Sequence, residues 1–271
     1  MLKQRIITSL ILAVVFVGCV LYGDTRWVSV MFTLALFAAA REMLVLTVRP
    51  PIAVSLAVAA VFALLFWASL SFANPVLIRW QALAGLLLWV LIAVGLLFYR
   101  HSGNWPLPAR LLALVLGLDL LWICVHSLVY LHYVYGGWTL LFLFTLVWIV
   151  DIGAFFSGRR FGKHKLAPTI SPKKTWEGVY GGVAATLVWM LLVYTLVDGW
   201  QLGLVHYLLI GLATVSVSIV GDLFESVLKR EAGVKDSGHL LPGHGGVLDR
   251  IDSVIAAAPI FVAGLMLAGT P

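Results

Sequence analysis

The amino-acid sequence predicts an all-α, polytopic integral membrane protein. Of its 271 residues, 62% are hydrophobic and only 11% are charged, which leaves too few polar residues to cover a soluble fold of this size. Several apolar runs approach or exceed the roughly 20 residues with which a helix crosses a bilayer. Segments of roughly ten residues with alternating hydrophobicity, which would indicate a transmembrane barrel, are not visible.

Nine apolar segments are predicted to be membrane-spanning helices. The first follows the basic start MLKQR and resembles a signal peptide, but no small-residue cleavage site follows it, so we interpret it as an uncleaved helix. Pro50 and Pro51 end the second segment, and Gly136 and Gly137 separate the fifth from the sixth. The nine segments are 6–23, 27–48, 51–70, 78–99, 111–134, 138–157, 179–197, 202–221 and 251–268.

The basic residues predict the orientation of these helices. If the segments alternate across the membrane, all of the 18 Lys and Arg residues except Arg26 and Arg79 fall on the same side as the N-terminus. Because Lys and Arg concentrate on the cytoplasmic side, we expect a cytoplasmic N-terminus. The formal net charge of +6 then faces anionic lipid headgroups and phosphates, and it does not indicate a nucleic-acid partner.

Carboxylates gather at the predicted cytoplasmic ends of the last two segments. Asp222 follows segment eight, and Asp249 and Asp252 begin segment nine with a spacing of three that places them on one helix face. Such acids suit a hard divalent cation such as Mg²⁺. Solvated helix ends with local pairing, such as Glu225 with Lys229, explain the spacing equally well.

Two polar stretches contain groups that could bind phosphate. SPKKT, residues 171–175, places two lysines beside two hydroxyls, although lysines beside a membrane are also ordinary positive-inside anchors. In GHGG, residues 243–246, glycine backbone N–H groups could surround an anion, or the glycines could form a plain turn. His239 and His244 are a weak zinc signal, because further ligands are not apparent.

Three acids lie within apolar segments, where a charge is costly and indicates function by default. Asp151 is the strongest candidate and is expected to line a polar cavity. Glu42 is expected to pair with Arg41 or to be hydrated at the interface, and Asp119 to hydrogen-bond a serine or histidine of another helix. As an alternative function, the three acids would form the relay of an ion- or proton-coupled transporter.

Two longer polar stretches, which contain SPKKT and GHGG, together resemble one family. SVLKREAGVKDSGHLLPGHGGVLDRID, residues 226–252, resembles the signature of phosphatidate cytidylyltransferases, and DIGAFFSGRRFGKHKLAPTISPKKTWEG, residues 151–178, resembles their second well-marked segment. The resemblance covers about 151–252, and residues 1–150 match only as a hydrophobic multi-span region. We therefore expect N-terminal transmembrane helices over 1–135 and a C-terminal catalytic region over 136–271, with cytoplasmic segments 158–178 and 222–250.

The resemblance implies transfer of a cytidylyl group from CTP to phosphatidic acid, with Mg²⁺ as cofactor and a second cation allowed. It implies an enzyme of a bacterial-type inner membrane whose active site faces the cytoplasm, and, by analogy with the family alone, a homodimer. On this hypothesis the catalytic residues are Asp222, Asp249, Lys229, Lys235, Asp236 and His244. The substrate-binding residues are Ser171, Lys173, Lys174, Thr175, Glu177, Arg230, Gly245, Gly246, Arg250 and Arg159, and the metal ligands are Asp222, Asp249, Asp252 and Asp151.

Overall fold

The fold is a bundle of helices with one small β-hairpin. The computed structural model describes residues 2–101, 103, 105–197, 202–240, 243 and 245–269, without the side chains of 2–10 and 12. The strands are β1 (Lys165–Ala167) and β2 (Ser171–Thr175), which pair antiparallel. The helices are α1 (Leu2–Tyr22), α2 (Thr25–Thr47), α3 (Ile52–Ser69), α4 (Pro75–Phe98), α5 (Leu107–Phe161), α6 (Trp176–Leu196), α7 (Leu204–Ala232) and α8 (Leu248–Leu267).

Within the described residues, seven helices are long and apolar enough to cross a membrane, which confirms the all-α membrane fold. Helices α3 and α4 show how the bundle meets lipid. Each buries a single stripe of residues three or four apart, and most of its remaining apolar side chains are exposed. Small residues such as Ala59, Ala63, Ala82 and Gly85 form much of these stripes, as is usual where membrane helices approach closely.

The 55-residue helix α5 consists of two arms that meet at Gly136. At 1.5 Å per residue an unbroken helix would be roughly 80 Å long, far more than the roughly 30 Å hydrocarbon layer. Gly136 has φ 80° and ψ 174°, which interrupts the helix. Gly117 on the first arm lines a cleft with Gly221, and Asp151 on the second arm lines a cavity with Asp222. Gly117 and Asp151 lie at similar distances along the chain from Gly136, on opposite sides of it. Because both lie beside the same part of α7, at Gly221 and Asp222, the two arms run antiparallel.

Two helices continue beyond their predicted ends. Helix α7 extends from the predicted end at 221 to Ala232, and Gly233 ends it with a left-handed φ of 71°. Helix α5 likewise extends to Phe161 rather than 157. The extra turns are polar, so an apolar pattern does not detect them, although Lys and Arg near a helix C-terminus favour such an extension. Consequently Asp222, Glu225 and Lys229 lie on one continuous helix.

Helix α8 is the centre of the bundle. Eleven consecutive residues, from Ser253 to Ala263, are buried, and the helix packs against α4, α5 and α7. Gly85 of α4 lies directly against Pro259 of α8, where an added Cβ would come within 3.0 Å of the proline ring. The N-terminus of this central helix therefore has a fixed place, and the candidate site is built around it.

Candidate active site

A charged cavity of about 480 Å³ lies between the second arm of α5, the start of α6, helix α7 and the hairpin. Its volume is in the range of small-molecule sites. The charged and hydroxyl groups that line it are Asp151, Asp222, Arg159, Lys173, Lys174 and Thr175, and its apolar wall includes Phe155, Leu166, Val179 and Ile219. Residues of the stretch 151–178 thus meet Asp222 of α7 in space, with acids and bases around a single opening.

The ion pair between Lys174 and Asp222 connects the hairpin to α7. The lysine Nζ lies 2.5 Å from Oδ2 of Asp222, and the side chains are 27% and 26% exposed. The Ser226 hydroxyl is 3.4 Å from the other aspartate oxygen. Because water and ligands can reach this pair, an incoming anion can compete for the lysine.

The hairpin is held against α7 by Ile170. Ala167 accepts a hydrogen bond from the Ile170 N–H at 3.2 Å, and Pro168 stands where a type I or II turn favours proline. The Ile170 side chain is buried among Leu223 and Val227 of α7, and its carbonyl accepts a 3.1 Å bond from Arg230. Arg230, a predicted substrate-binding residue, therefore also anchors the hairpin that carries Lys173 and Lys174.

The predicted substrate residues Thr175 and Glu177 both make contacts within the protein. Thr175 is buried and caps α6, because its Oγ1 accepts from the Gly178 N–H at 3.2 Å. The Glu177 carboxylate accepts from the backbone N–H groups of Lys163 and His164 and lies 2.6 Å from the His164 ring. Glu177 thus fixes the turn after α5, and it is not among the residues that line the cavity.

Asp249 is the centre of a second, buried group beside the cavity. Its Oδ1 pairs with Lys229 at 2.7 Å, and its Oδ2 accepts from the Ser237 N–H, the Ser237 hydroxyl and the Gly246 N–H at 2.8 to 2.9 Å. Lys229 also pairs with Glu225 one turn earlier on α7. Oδ2 thus has three donors, whereas Oδ1 contacts only Lys229 among the described residues and keeps a second lone pair that could ligate a metal.

Glu42 reaches this buried group from α2 and caps α8. Its Oε1 accepts from the Val247 N–H at 3.0 Å, and its Oε2 accepts from the Leu248 N–H at 2.8 Å and the Ser237 hydroxyl at 2.9 Å. The first N–H groups of a helix lack internal partners and favour negative charge. The prediction that Glu42 pairs with Arg41 or is hydrated is wrong, because the residue is only 2% exposed and makes these three contacts.

The glycines of GHGG allow this packing. Gly243 and Gly245 have φ values of 76° and 85°, in the left-handed region that favours glycine. A Cβ on Gly246 would overlap the Ser237 hydroxyl and the Glu42 carboxylate. The Gly246 N–H points to Asp249, so in this arrangement it binds a carboxylate of the protein.

Further carboxylates lie between the cavity and the buried group. Asp252 lines a narrow cleft with Glu225. Asp222 is close enough to both Asp252 and Asp151 for their negative charges to repel. One oxygen of Glu225 is buried without a hydrogen-bond partner. Hard oxygen donors of this kind suit Mg²⁺, which often takes one or two carboxylates and completes its shell with water and phosphate oxygens. Among the described side chains, no three acidic, histidine or cysteine groups form a ready-made metal cluster.

Of the remaining predicted site residues, the four that the structure describes do not line the charged cavity. Lys235 and Asp236 are exposed in the loop between α7 and α8, Arg250 is exposed at the start of α8, and Ser171 is half-buried at the start of β2. His244 lies outside the described residues. These placements leave the predicted roles of the five residues as predictions.

The carboxylates of the proposed transporter relay do not come together. Asp119 lines a different cavity, on the first arm of α5, whereas Asp151 faces the charged cavity and Glu42 caps α8. The expected hydrogen bond from Asp119 to a serine or histidine is not present among the described residues. Sequence reasoning missed Ser237 as a part of the site. It named Glu225 as a local partner of Lys229, and the structure confirms that pair. For Glu42 the available signal was an acid within an apolar segment.

Fold and site together define a polytopic membrane protein with a cavity that suits a phosphate-bearing ligand. The sequence model of the cytidylyltransferase family matches residues 3–268. The chain therefore belongs to the cytidylyltransferase family.

Curated relatives carry a more specific name. A phosphatidate cytidylyltransferase of Pseudomonas aeruginosa is 43% identical over 271 residues, which cover 99% of this chain and 98% of the relative. One of Rickettsia bellii is 35% identical over 200 residues, covering 71% of this chain and 85% of the relative. One of Haemophilus influenzae is 52% identical over 136 residues, which span 49% of this chain and 47% of the relative.

Proposed function

We propose that this protein transfers the cytidylyl group of CTP to phosphatidic acid, which yields CDP-diacylglycerol and pyrophosphate. The observation that carries the proposal is the charged cavity, in which Asp151 and Asp222 face Arg159, Lys173 and Lys174 among otherwise apolar helices. Membership of the cytidylyltransferase family and the names of the relatives support the same reaction.

The reaction needs charge neutralisation more than it needs a base. An oxygen of the phosphatidate phosphate attacks the α-phosphorus of CTP, and the bond from that phosphorus to the bridging oxygen of the β-phosphate breaks. The attacking phosphate is already ionised near neutral pH, so no strong general base is required. Arg159, Lys173 and Lys174 would bind the phosphates and reduce the repulsion between two anions.

Nucleotide binding would change the ion pair between Lys174 and Asp222. The triphosphate competes with Asp222 for the lysine, and Asp222 then becomes free to act together with Asp151. These two carboxylates would hold Mg²⁺, which when bound screens the charge on the reacting and leaving phosphates. Glu225 follows Asp222 one turn later on α7, and Asp252 of α8 lines a narrow cleft with Glu225. These two carboxylates are the candidates for a second cation.

The same proposal covers location and topology. We propose nine membrane spans, formed by α1, the two arms of α5 and the six other helices, with the N-terminus and the active site on the cytoplasmic side of a bacterial inner membrane. The support is the distribution of the 18 Lys and Arg residues and the reversal at Gly136. Phosphatidate would enter sideways from the inner leaflet, with its tails in hydrocarbon. A homodimer remains an expectation from the family alone.

Asp222→Asn tests the function. Purified protein with radiolabelled CTP, phosphatidate and Mg²⁺ should form CDP-diacylglycerol, and the variant should lose roughly 100-fold or more of this turnover, as when one preorganised active-site group is removed. Because Asp222 is partly exposed, the variant should elute and melt like the wild type. The matched control is Asp24→Asn, an exposed aspartate that caps α2. Near wild-type turnover of Asp222→Asn at limiting Mg²⁺ would contradict the assignment.

Asp249→Asn should also lose turnover, but through a different cause. Asp249 holds Lys229, Ser237 and Gly246 in place, so its variant should unfold at a lower temperature as well. A variant of Asp249 that loses activity with an unchanged unfolding temperature would favour direct metal ligation instead. Measuring both quantities for both variants therefore separates the metal site from the network beside it.

A further inference from the structure

The narrow cleft that Glu225 and Asp252 line also contains a third polar group, the indole of Trp89. The cleft lies in the centre of the bundle, between α2, α4, the first arm of α5, α7 and α8. It offers about 10 Å³ to a water molecule, which is on the order of the smallest volume that holds one. Of the described residues in its wall, only these three carry polar side-chain atoms, and the others are apolar residues and glycines.

The indole N–H of Trp89 is buried without a hydrogen-bond partner among the described residues. The side chain is 1% exposed, and its ring packs edge-on against Phe224 of α7, with the ring centroids 5.8 Å apart. A buried tryptophan N–H usually has a partner, and a water molecule can bridge a donor to an acceptor that is too far away for a direct bond. The unused donor and the space in the cleft therefore indicate one bound molecule.

Glu225 provides a matching acceptor. Its Oε2 pairs with Lys229, whereas its Oε1 is buried without a partner among the described residues. Asp252 is close enough for its negative charge to repel that of Glu225, and its Oδ1 accepts from the Ser253 N–H at 2.7 Å. Each carboxylate has lone pairs left to accept further hydrogen bonds. The cleft thus presents one donor and two acceptors.

Water is the occupant that these groups select. A cation beside the indole N–H would meet the positive edge of the ring, and an anion would be repelled by both acids. A water molecule is neutral, accepts from one donor and donates to two acceptors, and buried waters typically make about three such bonds. Its second lone pair stays free, so the bound water is compatible with a cation held by the same two acids.

We propose that one water in this cleft accepts from the Trp89 N–H and donates to Glu225 and Asp252, and that Trp89 is thereby a positioning residue for these two carboxylates. Groups that hydrogen-bond a metal-ligating carboxylate fix its orientation, and their loss typically costs roughly 10- to 100-fold in metal affinity or activity. Trp89 reaches the site from α4, which carries none of the predicted site residues. The effect on catalysis rests on the proposed function, whereas the bound water does not.

Nuclear magnetic resonance of the indole N–H groups tests for the water directly. The full chain, labelled with ¹⁵N-tryptophan and dissolved in deuterated detergent, has 11 tryptophans, and the signal missing from Trp89→Phe identifies Trp89. This signal should show cross-relaxation with water in a rotating-frame experiment, in which the opposite sign distinguishes it from chemical exchange. Glu225→Gln should shift the same signal, which identifies it independently if Trp89→Phe does not fold. The matched control is Trp189, whose N–H donates to the Thr145 hydroxyl at 3.0 Å and should show no such contact with water.

The dependence of turnover on Mg²⁺ tests the positioning role. Trp89→Phe should raise the Mg²⁺ concentration for half-maximal formation of CDP-diacylglycerol roughly tenfold. At saturating Mg²⁺ its KM for CTP should be unchanged, because Arg159, Lys173 and Lys174 remain in the charged cavity. A smaller folded fraction would lower turnover without moving the Mg²⁺ midpoint, so the two causes are separable. Trp189→Phe loses the same indole donor elsewhere in the bundle and should keep the wild-type midpoint.

The two measurements fail separately. Absence of the water contact at Trp89 would refute the bridging water, and a signal that Glu225→Gln leaves unchanged would show that the water does not reach this acid. An unchanged Mg²⁺ midpoint in folded Trp89→Phe would refute the positioning role. If the wild-type protein forms no CDP-diacylglycerol, the proposed function fails, and the water contact at Trp89 still decides whether the cleft binds water.

Discussion

Glu42→Gln is the sharpest test of how the site is held together. The substitution keeps the shape of the side chain and exchanges one acceptor oxygen for an NH₂ donor. In the wild type the two oxygens accept from different backbone groups, Oε1 from Val247 and Oε2 from Leu248. In either orientation of the new amide, its NH₂ group faces one of these N–H groups, so one buried bond is lost.

The magnitude follows from these contacts. A buried donor left without its charged acceptor costs about 1–3 kcal/mol, and removal of a negative charge from a helix N-terminus costs about 0.3–1 kcal/mol, or up to about 2 where it is partly buried. We therefore expect a loss of about 2–4 kcal/mol in the free energy of unfolding. This loss lowers the ratio of folded to unfolded protein by roughly 30- to 1000-fold.

The assay is unfolding in detergent micelles, followed by tryptophan fluorescence, together with turnover measured well below the transition. Turnover of Glu42→Gln should also fall, because Glu42 fixes the start of the helix that carries Asp249. Asp24→Asn is the matched control, since Asp24 caps α2 through one exposed oxygen that the amide retains. If the two variants unfold together with the wild type, the capping role of Glu42 is refuted.

Three further substitutions test neighbouring parts of the structure. Lys229→Met leaves the buried carboxylates of Glu225 and Asp249 without their shared cation, and it should cost about 3–5 kcal/mol of folding free energy. Lys173→Met, at an exposed position, should instead weaken CTP binding and leave the unfolding midpoint unchanged. Gly246→Ala should lower the midpoint, because its Cβ overlaps buried oxygens, whereas Gly203→Ala, with open space around it, should not. Burial and a neighbouring carboxylate raise the pKa of Tyr99, so the folded state retains this proton, and stability should decrease as the pH rises beyond about 10. In Tyr99→Phe this decrease should be smaller, and an equal decrease in both proteins would contradict the explanation.

The sequence predicts the helices well because a bilayer demands long apolar runs, and the predicted ends of α2, α3 and α8 lie within a few residues of the observed ones. It picks out the two polar stretches 151–178 and 226–252, because their residue types are costly beside a membrane unless they are used. The contact between these stretches, from Arg230 to the Ile170 carbonyl, comes from the structure. It does not predict that α7 continues through Glu225 and Lys229, since those turns are polar. The contact between Glu42 and Leu248 joins residues 206 positions apart, and local patterns contain no information about such pairs.

The Ser237 hydroxyl shows why the N-terminal helices matter to the candidate site. It lies 2.9 Å from a Glu42 oxygen and 2.9 Å from an Asp249 oxygen, and it has a single hydrogen to donate. The two carboxylates therefore compete for one proton donor, and a change in either alters what the other receives. Although the division of the chain at residue 135 remains a prediction for its organisation, the position of Asp249 depends on a residue of α2. Substitutions far from residues 151–252 should thus change catalysis through the N-terminus of α8, and α2 is where we expect to find them.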